Sequence, residues 1–233
     1  MRKAFHEDLS EVESIIVMMA GQVVEQLEKV MRALDAADED LASEVIAADD
    51  GIDRNYLEVR NRVLLLLATQ APVAVDLRHV SAMLHINIHL ERMGDLCTTI
   101  AKAIKLSSEL PRNDAVCQEL LEMGAQAARL TESSIKAFTQ RDLDLARSLP
   151  RLDDPIDRLN RGIIRAAIAE GADSETGFEW AARMVLVSRQ LERLGDHAVD
   201  IGEEVAFLVT GEFAEFTDAS HKKDGLAQPS SSS

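Results

Sequence analysis

The chain has 233 residues, enough for one or two domains with a buried core, and 46% apolar and 28% charged residues give it a globular rather than disordered composition. It carries 41 Asp and Glu against 25 Lys and Arg, a formal net charge of −16. That balance argues against phosphate-backbone binding and against an anionic membrane surface, and suits a cation or a basic patch on a partner. Eleven Gly, five Pro and 3% aromatic residues leave little turn chemistry or strand-forming material, so the composition points to an all-α fold.

Helical periodicity predicts six long helices in chain order. The first covers 8–36, with Ser10 and Glu13 spaced as a capping box near its start. The second covers 38–70 and ends before Pro72, and the third covers 73–110. Pro111-Arg112-Asn113-Asp114 is the clearest internal break. The fourth covers 114–140, the fifth 142–170 and the sixth 175–211. The segment 217–233, with Gly225, Pro229 and four terminal serines, reads as a disordered tail.

The longest apolar run, 63–68, is far too short to span a bilayer, and the first eight residues lack the apolar stretch of a secretory signal. Cys97 and Cys117 form no C-x-x-C pattern, which fits a reducing compartment. A cytoplasmic location is therefore expected. Trp180 and Cys97 read as core residues.

The sequence repeats. Asp38-Glu39-Asp40-Leu41-Ala42 matches Asp142-Leu143-Asp144-Leu145-Ala146, and Asp49-Asp50-Gly51-Ile52-Asp53-Arg54 matches Asp153-Asp154-Pro155-Ile156-Asp157-Arg158. Both pairs share an offset of 104 residues. Leu90-Glu91-Arg92-Met93-Gly94-Asp95 matches Leu191-Glu192-Arg193-Leu194-Gly195-Asp196 at an offset of 101. Three matched blocks in order imply a duplicated three-helix unit, 1–110 and 111–216. The expected architecture is thus two pseudo-symmetric three-helix bundles.

Each repeat places two acidic pairs at i, i+4: Asp49/Asp53 and Glu91/Asp95, then Asp153/Asp157 and Glu192/Asp196. Residues four apart stack on one helix face, so these carboxylates repel. They also interrupt apolar stripes. Asp49 lies in the series Val45, Ile52, Tyr56, Val59 and Val63; Glu91 and Asp95 lie beyond Leu77, Leu84 and Ile88. A buried carboxylate without a partner costs several kcal/mol, so a neutraliser is expected. Either the adjacent Arg54, Arg92, Arg158 and Arg193 or a metal held by paired carboxylates of facing helices would serve. In the second unit Pro150 and Pro155 flank Asp153. If Asp154-Pro155 starts a helix instead, Asp153 and Asp157 do not stack. His85 and His89 have chelating spacing but lie away from the acids, and His197 points away from Asp196.

The segment Gln70-Ala71-Pro72-Val73-Ala74-Val75-Asp76-Leu77-Arg78, with the Glu91-to-Asp95 and Glu192-to-Asp196 motifs, resembles the PhoU family of phosphate-transport accessory proteins. The resemblance covers residues 1–216. It implies a non-enzymatic regulator that restrains phosphate uptake and phosphate-starvation signalling. The partners it implies are the ATPase subunit of a phosphate ABC transporter and a phosphate-sensing histidine kinase, with peripheral attachment to the inner membrane face through them. A homodimer is the expected assembly. The family's E/D-x-x-x-D motifs bind multinuclear iron or zinc clusters in some members. By resemblance the ligands here are Asp49, Asp53, Glu91, Asp95, Asp153, Asp157, Glu192 and Asp196. Asp76, Arg78, Arg92 and Arg193 are candidates for partner contact. The second unit has no copy of the 72–78 block. No G-x-S-x-G, Walker A or G-x-G-x-x-G motif occurs. The alternatives are a metallohydrolase and an iron-handling bundle, the latter without Glu-x-x-His.

Overall fold

Hydrophobic stripes at helical spacing run through nearly all of the computed structural model, which describes residues 2–170 and 174–216. Among the described residues six helices result: α1 (Arg2–Ala36), α2 (Glu39–Gln70), α3 (Val75–Ser107), α4 (Asp114–Gln140), α5 (Leu143–Glu170) and α6 (Glu175–Thr210). No strand occurs among the described residues. The expected tail at 217–233 lies outside them.

Local chemistry sets most boundaries. Asp38 caps α2 by accepting the Leu41 N–H at 2.9 Å, and its repeat counterpart Asp142 accepts that of Leu145 at the same distance. Asn113 and Ser174 cap α4 and α6 in the same way. Gly211 closes α6 at φ 77°, where glycine meets no steric cost. The connection between α2 and α3 holds two alanines at positive φ, Ala71 at 44° and Ala74 at 50°. That conformation is unfavourable for a residue with a Cβ.

Two expectations are corrected. α1 starts six residues before the predicted start, and Ser10 lies inside it, accepting the Ser14 hydroxyl on its carbonyl. Phe5 and Leu9 are buried in line with Val12, Ile16 and Met19, so the apolar stripe carries the helix past the capping box. The second correction concerns α5, which runs unbroken through Pro150 and Pro155. Each proline removes one helical hydrogen bond. Ala146, Leu149, Ile156, Ile163 and Ala167 along this helix are fully buried, and that apolar burial outweighs the loss. Asp153 and Asp157 therefore do stand one turn apart on one helix.

Helices α1, α2 and α3 pack on one another, as do α4, α5 and α6, giving two pseudo-symmetric three-helix bundles. The bundles join along α3 against α6 and α1 against α4. His85 meets Glu204, and His89 meets Asp200 four residues on, so α3 and α6 run antiparallel. Helices α3 and α6 also carry much of the core, with Ile86, Leu90 and Met93 of one and Leu191, Leu194 and Ala198 of the other all fully buried. Trp180 and Cys97 are buried, as expected. No helix among the described residues is long and apolar enough to cross a membrane.

Candidate metal centres on the acidic helices

The matched motifs put equivalent atoms together in both bundles. In the first, a Cβ on Gly94 of α3 would stand 3.3 Å from Asp49 Oδ1 and 2.9 Å from Ile52 Cδ1 of α2. In the second, a Cβ on Gly195 of α6 would overlap Asp153 Oδ1 and stand 3.3 Å from Ile156 Cδ1 of α5. The glycine inside each E-x-x-G-D block thus opens the facing helix to an aspartate of the other acidic pair. This cross-helix role is invisible in a single motif.

Placement differs from the simple stripe. On α2, Val45, Ile52, Val59 and Val63 are fully buried, and Asp49 is half-buried among them with Asp53 exposed at the rim. On α3 the buried line runs through Val80, Met83, Ile86, Leu90 and Met93, whereas Leu77 is exposed. Glu91 and Asp95 flank that line rather than interrupt it. In the second bundle Asp153 is buried, Asp157 and Glu192 are half-buried and Asp196 is exposed.

Electrostatics links acids across the two helices of each bundle. Burial raises the Asp49 carboxyl above its ordinary value; the Thr98 hydroxyl partly offsets this, and Asp53 and Asp95 raise it further. Glu91 is raised by burial, then by Asp95 and Asp53. Glu192 is raised by burial, with Arg189 opposing and Asp157 adding. Asp196 is pushed up to about 6: the packed helices desolvate it although water reaches one side, and Glu192 and Asp157 add like charge. These acids feel one another across two helices in each bundle.

The neutralisers differ from those expected. Arg54 donates to the Asp50 carbonyl, not to an acid. Glu192 pairs instead with Arg189 at 2.8 Å, and Asp157 with Arg161 at 3.8 Å. Helical i, i+3 and i, i+4 spacing was the available signal for both. No ion pair reaches Asp49, Asp53, Glu91 or Asp95 among the described residues. Arg92 and Arg193 line a cleft of about 450 Å³ with Asp49, Asp95, Lys102 and Gln190. Asp76 sits in the first turn of α3. Arg78 packs its guanidinium against Gly211, which ties the start of α3 to the end of α6.

The donor chemistry of both sets suits a hard cation. They offer carboxylate oxygens from two facing helices, and Glu192 Oε2 is buried without a hydrogen-bond partner.

A profile of the PhoU domain matches residues 16–104 and again 120–205. A phosphate-specific transport system accessory protein PhoU homologue of Clostridium acetobutylicum is 33% identical over 218 residues, covering 93% of this chain and 99% of its own. A Thermotoga maritima homologue bearing the same description is 31% identical over 207 residues, covering 89% of each chain. The crystal structure of PhoU from Pseudomonas aeruginosa superposes with a TM-score of 0.83 at 29% identity, covering 89% of this chain and all of that one. A phosphate transport system regulatory protein PhoU from Streptococcus pneumoniae gives a TM-score of 0.81 at 27% identity, covering 90% of this chain and 99% of its own. With two domain matches, end-to-end relatives and the same helical architecture, this chain belongs to the PhoU family.

Proposed function

We propose that the protein is an accessory regulator of phosphate-specific transport that restrains phosphate uptake and phosphate-starvation signalling. The observation that carries this is the 33% identity to a protein of that description along almost the whole of both chains. The proposed partners are the transporter's ATPase subunit and the phosphate-sensing histidine kinase, met at the cytoplasmic face of the membrane by a homodimer. Recognition rather than catalysis is the proposed action.

The metal role rests on the same reading. Asp49, Asp53, Glu91 and Asp95 would hold iron or zinc between α2 and α3, and Asp153, Asp157, Glu192 and Asp196 would do so between α5 and α6. A cation there would offset the mutual repulsion of these carboxylates and fix the acidic surface shown to a partner. Arg92 and Arg193, in the cleft beside Asp49, would give that surface a basic edge. Asp76 and Arg78 lie at the far end of α3, a second candidate contact.

Deleting the gene tests the regulatory reading. Derepressed phosphate-starvation genes and raised uptake in high phosphate are expected; unchanged uptake and reporter expression in both high and low phosphate would overturn it. The second reading is a metallohydrolase built on the same paired carboxylates. Metal-dependent turnover of phosphate esters, lost in Asp196→Asn, would support that reading instead.

A further inference from the structure

The seam between the two bundles carries a polar cluster outside both acidic sets. His89 Nδ1 of α3 lies 3.2 Å from His197 Nδ1 of α6. Each of these nitrogens lies 3.4 Å from the same oxygen, Asp200 Oδ2. Three donor atoms thus form a nearly equilateral triangle, contributed by helices of different bundles. His89 and His197 are largely enclosed, with side-chain exposures of 17% and 13%, while Asp200 at 43% opens one side to solvent.

The dimensions point to a metal. Tetrahedral ligation at the usual zinc–nitrogen and zinc–oxygen length sets ligand atoms about 3.3–3.4 Å apart, whereas octahedral ligation at a similar length sets them about 3.0 Å apart. The edges here, 3.2, 3.4 and 3.4 Å, match three corners of the tetrahedron. Two imidazoles and one carboxylate are a borderline donor set of the kind zinc takes, with a fourth position left for water. Hydrogen bonding alone satisfies the triangle only in part: when one imidazole donates its Nδ1–H to the other at 3.2 Å, the accepting nitrogen has no proton left to give Asp200 Oδ2.

The duplication argues that this arrangement is not a by-product of the fold. At the repeat offset of 101, His89, His197 and Asp200 correspond to Gln190, Leu96 and Thr99. Those three also lie together, in one cleft on the opposite side of the seam. The repeat thus brings equivalent positions together twice and places metal-binding side chains there only once. Beside the triangle, Glu204 is buried and meets His85 Nδ1 at 2.9 Å, one turn further along both helices.

We propose that His89, His197 and Asp200 bind a zinc-type divalent ion that clasps α3 to α6 and so joins the two bundles. The test uses the full-length chain stripped by a chelator and titrated with Co²⁺, then Zn²⁺. Wild type should develop the intense visible bands of tetrahedral cobalt, bleached by zinc, which six-oxygen carboxylate sites do not give. His89→Gln and Asp200→Asn should each lose the bands and weaken zinc binding at least about tenfold, with circular dichroism unchanged in chelator. Asp49→Asn and Glu192→Gln should keep them. Absence of tetrahedral bands in wild type would overturn the proposal. So would bands that persist in folded His89→Gln, or bands that vanish in Glu192→Gln and thereby assign the metal to the neighbouring acidic set.

Discussion

Gly195 of α6 lies directly against Asp153 Oδ1 of α5, leaving no room for a side chain at that point. The equivalent contact between Gly94 and Asp49 is looser, at 3.3 Å. In an exposed helix interior, alanine in place of glycine gains about 1 kcal/mol. Here Gly195→Ala must turn the Asp153 carboxylate out of its position, so the gain is offset and the second acidic set is disrupted. The expected outcome is a folded protein whose melting temperature in chelator is near that of wild type but rises less on adding metal. Gly94→Ala should show the smaller loss. Thermal melts with and without zinc or iron check both.

The two acidic sets should be unequal in metal content. Both helices that present them are unbroken, so the prolines of α5 do not set the difference; the arginines do. A cation at the second set competes with Arg189 on Glu192 and Arg161 on Asp157, whereas no ion pair forms at the first among the described residues. Asp49→Ala with Glu91→Ala should therefore remove more bound metal than Asp153→Ala with Glu192→Ala. Both double variants should stay folded, since each removes mutual repulsion. Elemental analysis of the purified proteins, with thermal melts, decides the matter, and equal loss would refute the asymmetry.

His79 gives a pH-dependent contribution to stability. It is buried, accepts from Arg141 Nη2 at 2.9 Å and packs edge-on to Phe138. Burial, then Arg141, lowers it to about 4 against an ordinary 6.5; Glu13 and Asp76 oppose, and His6 adds slightly. The folded state holds it neutral while the unfolded chain takes up a proton. Its contribution is thus complete above pH 6.5 and is lost as pH falls towards 4. The full shift corresponds to about 3 kcal/mol. Urea titrations at pH 4.5 and 7.5 should show wild type losing about 2 kcal/mol more on acidification than His79→Gln.

Both cysteines should be inert in the folded protein. Cys97 is fully buried and its thiol is pushed up to about 12 by burial, with Asp49 adding; Cys117 is buried and raised. A thiol-reactive chromogenic disulfide should label neither in native buffer and both in denaturant.

The helices were legible because their signals are local. Asp38, Asn113 and Ser174 sit at cap positions, and α4 runs from Asp114 to Gln140 as its spacing predicts. The start of α1 was misread because a capping pattern is a two-residue signal, and the buried Phe5 and Leu9 outweigh it. The acidic sets were legible because duplication prints the same motif twice. Their depth was not: Glu91 and Asp95 flank the buried line of α3, and only packing against α2 reveals that. The triangle of His89, His197 and Asp200 spans more than a hundred residues with no repeat to mark it. Spacing along one helix left His89 beside His85, with nothing to bring His197 near.

The polar contacts between α3 and α6 fix the register of an otherwise greasy seam. Leucine, isoleucine and valine faces tolerate a slide of one turn, about 5.4 Å, because one aliphatic contact replaces another. His85 against Glu204 and His89 against Asp200 do not. Slippage in one direction sets the buried Glu204 opposite Ser81; slippage in the other sets His85 opposite Leu208 and Asp200 opposite Met93. Either breaks the 2.9 Å contact between His85 and the buried Glu204: the first sets Glu204 beside a serine in place of its imidazole partner, and the second sets Asp200 against the apolar Met93. The two bundles are thereby keyed to a single alignment, and a change that relates them must pivot about this seam rather than glide along it.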